Sequence, residues 1–153
     1  MKMSDNVKAK RARKARGFTL VELLIVIIII GILAGGMLLV AGSGTDKANA
    51  TKIVSDLRSL KSAALMYYAD NNAWPAEGDV KDVLGKYMDR ELVAGDYEYK
   101  VVSFDMVGYK GDLVTNEEGV REKLTSMATE TGLYNINGTP YNDNNDGVYM
   151  RVR

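Results

Sequence analysis

The chain is 153 residues long, enough for one modest domain beside a long helix, and its 20 Lys and Arg balance its 20 Asp and Glu. It has no cysteine and no histidine, which excludes a disulfide scaffold, a lipoprotein anchor, a thiol nucleophile, and the commonest general base and metal ligand. Residues 1–17 hold seven of the basic residues and one acid, so the rest keeps 13 basic and 19 acidic residues, net −6, a poor match to phosphate backbones; nucleic acid is not an expected partner.

Residues 1–17 read as a polar, basic leader, with Lys2, Lys8, Lys10, Arg11, Arg13, Lys14 and Arg16 against Asp5. By the positive-inside rule this end stays in the cytoplasm and the chain beyond the apolar run lies outside. That run opens on Phe18 and closes on Ala41, and Glu22 is its one charge. As a helix it is about 35 Å long, enough to cross a hydrocarbon core of about 30 Å. Backbone groups in lipid must pair within their own segment, so a run this long is expected to be helical despite its Ile and Val content. A secretory signal fits less well, because its apolar region is only about 7–15 residues and its small-residue site follows that region. Here the small residue, Gly17, precedes it. A carboxylate inside a membrane segment costs a few kcal/mol and needs a partner. A cut after Gly17 would give Phe18 a free amine, and Glu22, one helical turn on, could neutralise that amine or the amine of a neighbouring copy.

Gly17-Phe18-Thr19-Leu20-Val21-Glu22-Leu23-Leu24, followed by an Ile-rich run through Gly31-Ile32-Leu33-Ala34, resembles the class III signal of type IV prepilins and type II secretion pseudopilins. The resemblance implies cleavage between Gly17 and Phe18 by a prepilin peptidase, N-methylation at Phe18, and a role for Glu22 in registering subunits in a helical filament. It also implies an α+β, pilin-like fold, with a long N-terminal α-helix packed on a small antiparallel β-sheet. The organisation expected is a leader at 1–17, a membrane and filament-core helix at 18–44, and a head at 45–153 that includes the second half of the helix. The partners implied are further copies in a homopolymer, the prepilin peptidase, pilus or secretion machinery, and the lipid bilayer before assembly.

Gly31, Gly35, Gly36, Gly42 and Gly44 crowd the second half of the apolar run, suited to close helix packing in lipid or to bending during assembly. Beyond Thr45, Ala50, Ile53, Val54, Leu57, Leu60, Ala64, Tyr67 and Tyr68 recur at helical spacing, leaving Lys47, Lys52, Asp56, Arg58, Lys61 and Asp70 mostly on the opposite surface. Asn71, Asn72 and Pro75 should stop this helix, with Trp74 packed at its end. Residues 78–88 read as a short surface helix with Val80, Val83, Leu84 and Tyr87 inward. Residues 96–104 alternate as a strand, Tyr97, Tyr99 and Val101 facing one way and Glu98, Lys100 and Val102 the other. Residues 107–115 read as its hairpin partner, with Gly108 and Gly111 weakening it or marking a bulge. Thr115-Asn116-Glu117-Glu118 matches a capping box, opening a helix over 116–129 with Val120, Leu124 and Met127 on one side. A turn-rich loop over 131–147 precedes a last strand with Val148, Met150 and Val152 on one face.

The loop contains Asn142-Asp143-Asn144-Asn145-Asp146-Gly147. Asp143, Asn145 and Asp146 are candidate calcium donors, because calcium takes six to eight oxygens on a sharply turning loop. The segment lacks EF-hand spacing and a distal Glu, and the same residues suit a plain turn. The major pseudopilin of type II secretion, which the N-terminus resembles, holds calcium in its C-terminal loop. No other cofactor is expected. The segments over 61–70 and 115–120 look similar to cysteine-free type IV pilins of Gram-positive clostridia. The function expected is therefore structural: a subunit of an extracellular type IV pilus, anchored in the inner or plasma membrane before assembly. The alternatives are a pseudopilin with a calcium-binding head and a monomeric single-pass protein with a ligand-binding head. No nucleophile–base constellation is visible, so an enzyme is not expected.

Overall fold

The computed structural model describes residues 17–153, with backbone alone at 39–41 and 79. The leader expected at 1–17 lies outside the described residues except for Gly17. One helix, α1 (Leu20–Asn71), takes up 52 residues. It opens two residues later than expected, with Phe18 outside the helix and Leu23 N–H donating to the Thr19 carbonyl at 3.2 Å. It closes where Asn72 takes a left-handed φ of 52° and donates to the Tyr68 carbonyl at 2.8 Å, a conformation asparagine tolerates at helix ends. The chain divides into two compact units, with the boundary after Leu38.

In the first unit, the apolar side chains of α1 are open along its length, from Leu20 at 86 % exposed through Ile28 at 51 % to Leu38 at 77 %.

The second unit holds a five-stranded, wholly antiparallel sheet in the order β1-β2-β3-β5-β4. Its strands are β1 (Gly78–Asp79), β2 (Tyr97–Val101), β3 (Asp105–Tyr109), β4 (Leu133–Tyr134) and β5 (Val148–Arg151). Tyr97 opposes Tyr109, and Tyr99 opposes Val107, so alternate residues of β2 and β3 reach the same side. There they meet Leu133, Val148, Met150 and Val152, the α1 stripe of Ala50, Ile53, Val54, Leu57, Leu60 and Ala64, and Val120, Leu124 and Ala128 of α4 (Glu118–Thr131). Burying a side chain such as Leu57 or Leu124 contributes about 1.5–3 kcal/mol. Trp74 packs half-buried against this core, as expected, and stacks on Tyr68 at 4.5 Å.

Several expectations are corrected. Gly78 and Asp79 are the edge strand β1, paired with Tyr99 and Glu98; the helix beside them shrinks to α2 (Lys81–Leu84) and a 3-10 turn at Gly85–Tyr87. Val101 lies past the rim of the core and is 48 % exposed. The second strand of the hairpin runs two residues earlier than expected, and residues 112–115 are a helical turn, α3 (Asp112–Thr115). Gly108 marks no bulge. It pairs in register with Glu98 and Tyr149, and a Cβ there would collide with the Tyr149 ring, which crosses it to reach Glu98. The Thr115 capping box does not form: Thr115 Oγ1 turns back to the Gly111 carbonyl at 3.5 Å, and Glu117 is the N-cap residue of α4, without a side-chain cap bond. Asp46 of α1 lies instead against the first turn of α4, where a Cβ on Gly119 would strike its carboxylate. The loop over 131–147 also contains β4, which extends the sheet beyond β5.

Among the described residues three carboxylates are buried, and each is held by a tyrosine and a cation. Asp56, expected on the open surface, is 2 % exposed. Its Oδ2 accepts from Tyr97 Oη at 2.5 Å, and its Oδ1 lies 2.6 Å from Arg90 Nη1 as an ion pair without hydrogen-bond geometry. Glu98 accepts from Lys110 Nζ at 2.8 Å and from Tyr149 Oη at 2.6 Å. Asp105 accepts from Tyr99 Oη at 2.8 Å and from Arg153 Nε. Burial, then the adjacent carboxylates, push the Tyr97, Tyr99 and Tyr149 phenols well above their ordinary pKa, so they remain donors at any physiological pH.

Candidate assembly site

Gly17 and Phe18 precede the helix, and both are exposed, Phe18 at 77 %. Thr19 is the residue from which α1 starts. Its N–H and its Oγ1 both donate to Glu22 Oε2 at 2.8 Å, and Glu22 N–H donates back to Thr19 Oγ1 at 3.2 Å. This is a reciprocal capping box, which satisfies orphan donors at the helix start and places a carboxylate at the positive end of the helix dipole. The sequence reading assigned that pattern to Thr115 and overlooked Thr19-Leu20-Val21-Glu22, where the same spacing precedes an uninterrupted apolar run. Thr19 is therefore a member of the site that the residue pattern could have revealed.

The site brings Thr19 and Glu22 together but does not place Phe18 one helical turn before Glu22, because the helix begins only at Leu20. Both Thr19 bonds fall on Oε2. Immediately downstream, Leu23, Leu24, Ile25, Val26 and Ile27 are each between 43 % and 56 % exposed, so the carboxylate opens a helix with no apolar cover of its own. Helices that are apolar all round require lipid or neighbouring helices. By length and composition this helix is a candidate membrane span.

The candidate calcium residues sit on a turn stabilised by other bonds. Asp143, at a left-handed φ of 61°, accepts from Arg121 Nε at 3.0 Å, and Arg121 Nη1 also donates to the Val114 carbonyl at 3.1 Å. Asn144 Oδ1 accepts from Asp146 N–H at 2.6 Å, and Tyr141 Oη donates to the Asn144 carbonyl at 2.7 Å. Asn145 and Asp146 are exposed. A calcium ion here would compete with Arg121 for Asp143.

Residues 12–38 match the family model of the prokaryotic N-terminal methylation motif, and residues 44–112 match the model described as PilW, C-terminal. The chain carries a prepilin signal. The chain is 45 % identical over 65 residues to type II secretion system core protein G of Klebsiella michiganensis, covering 42 % of this chain and 46 % of that one. It is 44 % identical over 62 residues to core protein G of Escherichia coli, covering 40 % and 43 %. It is 35 % identical over 119 residues to the type IV major pilin protein PilE1 of Neisseria gonorrhoeae, covering 74 % and 52 %. The chain thus spans about half the length of the curated relatives it matches. No solved structure matches it significantly. It is homologous to core protein G and to the type IV pilin alike, and the long helix with its antiparallel sheet is the α+β, pilin-like architecture expected from the sequence.

Proposed function

We propose that this chain is the structural subunit of an extracellular type IV pilus, made as a prepilin and held in the membrane by the apolar half of α1 until it enters the filament. The observation that carries this is the uncovered apolar helix beginning directly at the Thr19–Glu22 capping box. Burying each such Ile or Leu contributes about 1.5–3 kcal/mol, so the segment rests in lipid or among copies of itself, never in water. The 119-residue match to a major pilin supports the pilus reading, because α1 accounts for only 52 residues and the match must enter the head.

Cleavage between Gly17 and Phe18 by a separate peptidase gives Phe18 a cationic amine, which methylation leaves cationic. Before assembly Thr19 supplies two donors to Glu22, which lowers the cost of holding that carboxylate at the membrane. Glu22 Oε1 then accepts the amine of its own or a neighbouring copy, and neutralising the two charges fixes the register of adjacent helices. The deciding measurement is the intact and N-terminal peptide mass of protein from native membranes and from sheared surface material. A chain beginning at methylated Phe18 and abundant in the sheared fraction is the expected result; the leader still attached in a cell with active peptidase would overturn the reading.

A pseudopilin is the second reading, favoured by the 44 % and 45 % identities to core protein G over 62 and 65 residues. Processed protein confined to the envelope would support it, as would a calcium-dependent rise in the melting temperature of the head that is lost in Asp143→Ala.

A further inference from the structure

In the second unit α1 and α4 lie side by side over one face of the sheet and run in the same direction. Asp46 meets α4 at Gly119, and further along Lys61 lines a groove with Thr131, the last residue of α4. The two stretches rise about 22 Å and about 18 Å, so the helices keep pace. Each turns one stripe outward. On α1 it is Lys47, Thr51, Ser55, Arg58, Ser62 and Leu65, spaced by threes and fours and all exposed. On α4 it is Glu118, Glu122, Ser126 and Thr129, with Glu130 beside them, again all exposed. The stripes are opposite in charge. The α1 stripe has no acid, because the three acids of this part of α1 are taken up elsewhere: Asp46 against α4, Asp56 with Tyr97 and Arg90, and Asp70 with Tyr87 Oη at 2.9 Å. The α4 stripe has no base, since Arg121 is held by Asp143 and Lys123 stands half-buried on the flank. Among the described residues Lys47, Arg58, Glu118, Glu122 and Glu130 make no ion pair.

Exposed ion pairs add little affinity one by one, but opposed arrays of charge fix which surfaces meet and in what register. Lys47 to Arg58 spans about 17 Å of helix rise, and Glu118 to Glu130 about 18 Å. A parallel alignment that sets Lys47 opposite Glu118 brings Thr51 to Glu122, Ser55 to Ser126, and Arg58 to Thr129 and Glu130. Each cation then faces a carboxylate, and the small side chains between them let the helices approach. Copies anchored by the same end of α1 in one bilayer point the same way, which selects the parallel alignment. An anionic lipid surface or a nucleic acid would meet the α4 carboxylates beside the α1 cations and be repelled, whereas a second copy offers both signs.

We propose that the α1 stripe of one copy seats against the α4 stripe of a second copy, with Lys47 at Glu118 and Arg58 at Glu130. The contact rests on the reading of this chain as a filament subunit and names the head surfaces that set subunit register. The chain has no cysteine, so a disulfide between a Ser55→Cys chain and a Ser126→Cys chain joins two copies by necessity. Both serines are exposed, so each variant should fold, and an unchanged melting temperature in micelles checks this. The two full-length variants are co-expressed, mildly oxidised, and mapped by peptide mass in sheared surface material and in the envelope. The expected result is a 55–126 linkage at least tenfold above 55–55 and 126–126. Arg58→Glu on both chains should reduce it at least fivefold, and Glu130→Arg added to those chains should restore it. Linkage in the envelope alone keeps the contact and removes the pilus reading. Sheared filaments of processed subunits without the linkage overturn the contact and leave the pilus reading standing. No linkage in either fraction, or one indifferent to Arg58→Glu, also overturns it. Shielding of the Ser55→Cys thiol from a water-soluble alkylating reagent by phosphatidylglycerol nanodiscs, without the linkage, would assign the α1 stripe to a lipid surface instead.

Discussion

Glu22 is the residue on which the proposed assembly step turns. In the described chain it closes on Thr19, and both bonds use the same oxygen. Removing the carboxylate by Glu22→Ala should leave cleavage after Gly17 intact but impair entry into filaments when co-expressed with the unaltered chain; normal incorporation in sheared material would remove the assembly role. Thr19→Ala makes a different prediction. It costs the helix start about 1 kcal/mol, so amide exchange at Leu20, Val21 and Glu22 in micelles should accelerate while the helix beyond them stays protected. At Glu98 the balance is electrostatic. Burial pushes its pKa up, but the Lys110 and Tyr149 bonds and the nearby Lys110 and Lys100 charges outweigh burial and hold it below the ordinary glutamate value. A depressed folded pKa means the contribution is complete above the unfolded value of about 4.3 and is lost as pH falls through the folded value. Glu98→Gln should therefore lower the melting temperature at pH 7, and the gap from the unaltered chain should narrow as the pH falls below about 4.3. A gap constant across that range would show that packing rather than charge is at stake.

At the scale of elements, legibility followed length and periodicity. The stripe of α1, the alternation of β2 and the last strand β5 were plain because each repeats its pattern over several residues. β1 and β4 are two residues each, too short for any period, and exist only because β2 and β5 present bonding partners. Asp56 was misread as surface because it is charged, although it stands three residues after Ile53 and four before Leu60, on the apolar stripe itself. Gly108 was read as a defect because a sequence does not show a ring crossing from a neighbouring strand. Gly119 carries a prediction of this kind. Alanine for glycine inside a helix is ordinarily worth about 1 kcal/mol. Here the new Cβ meets the Asp46 carboxylate, and that same carboxylate lies at the positive end of α4. Gly119→Ala alone should bring no gain in stability. In an Asp46→Ala background the same change should recover most of its propensity benefit, and urea unfolding of the four variants measures the coupling. Additive effects would mean the two residues do not meet.

For the whole molecule, a head without cysteine needs other cross-links, and the buried carboxylates supply them between distant parts of the sequence. Asp56 joins α1 to β2 through Tyr97 and to the segment before β2 through Arg90. Glu98 joins β2 to Lys110 and to β5 through Tyr149; Asp105 joins β3 to Tyr99 of β2 and to Arg153. Such a pair contributes little net energy over a well-packed apolar alternative, but losing one partner strands the other and is expensive, so these contacts favour one arrangement of the strands. Among the described residues, the first member of the apolar core is Ala50. A fragment covering residues 45–153 should then be soluble without detergent, show dispersed amide signals, and unfold in a single cooperative transition. It should also lose the capacity to enter filaments, because Phe18, Thr19 and Glu22 are gone. A fragment that aggregates or melts without cooperativity would mean that the head depends on the apolar half of α1 for its own stability, and that membrane anchoring and folding are one process in this chain.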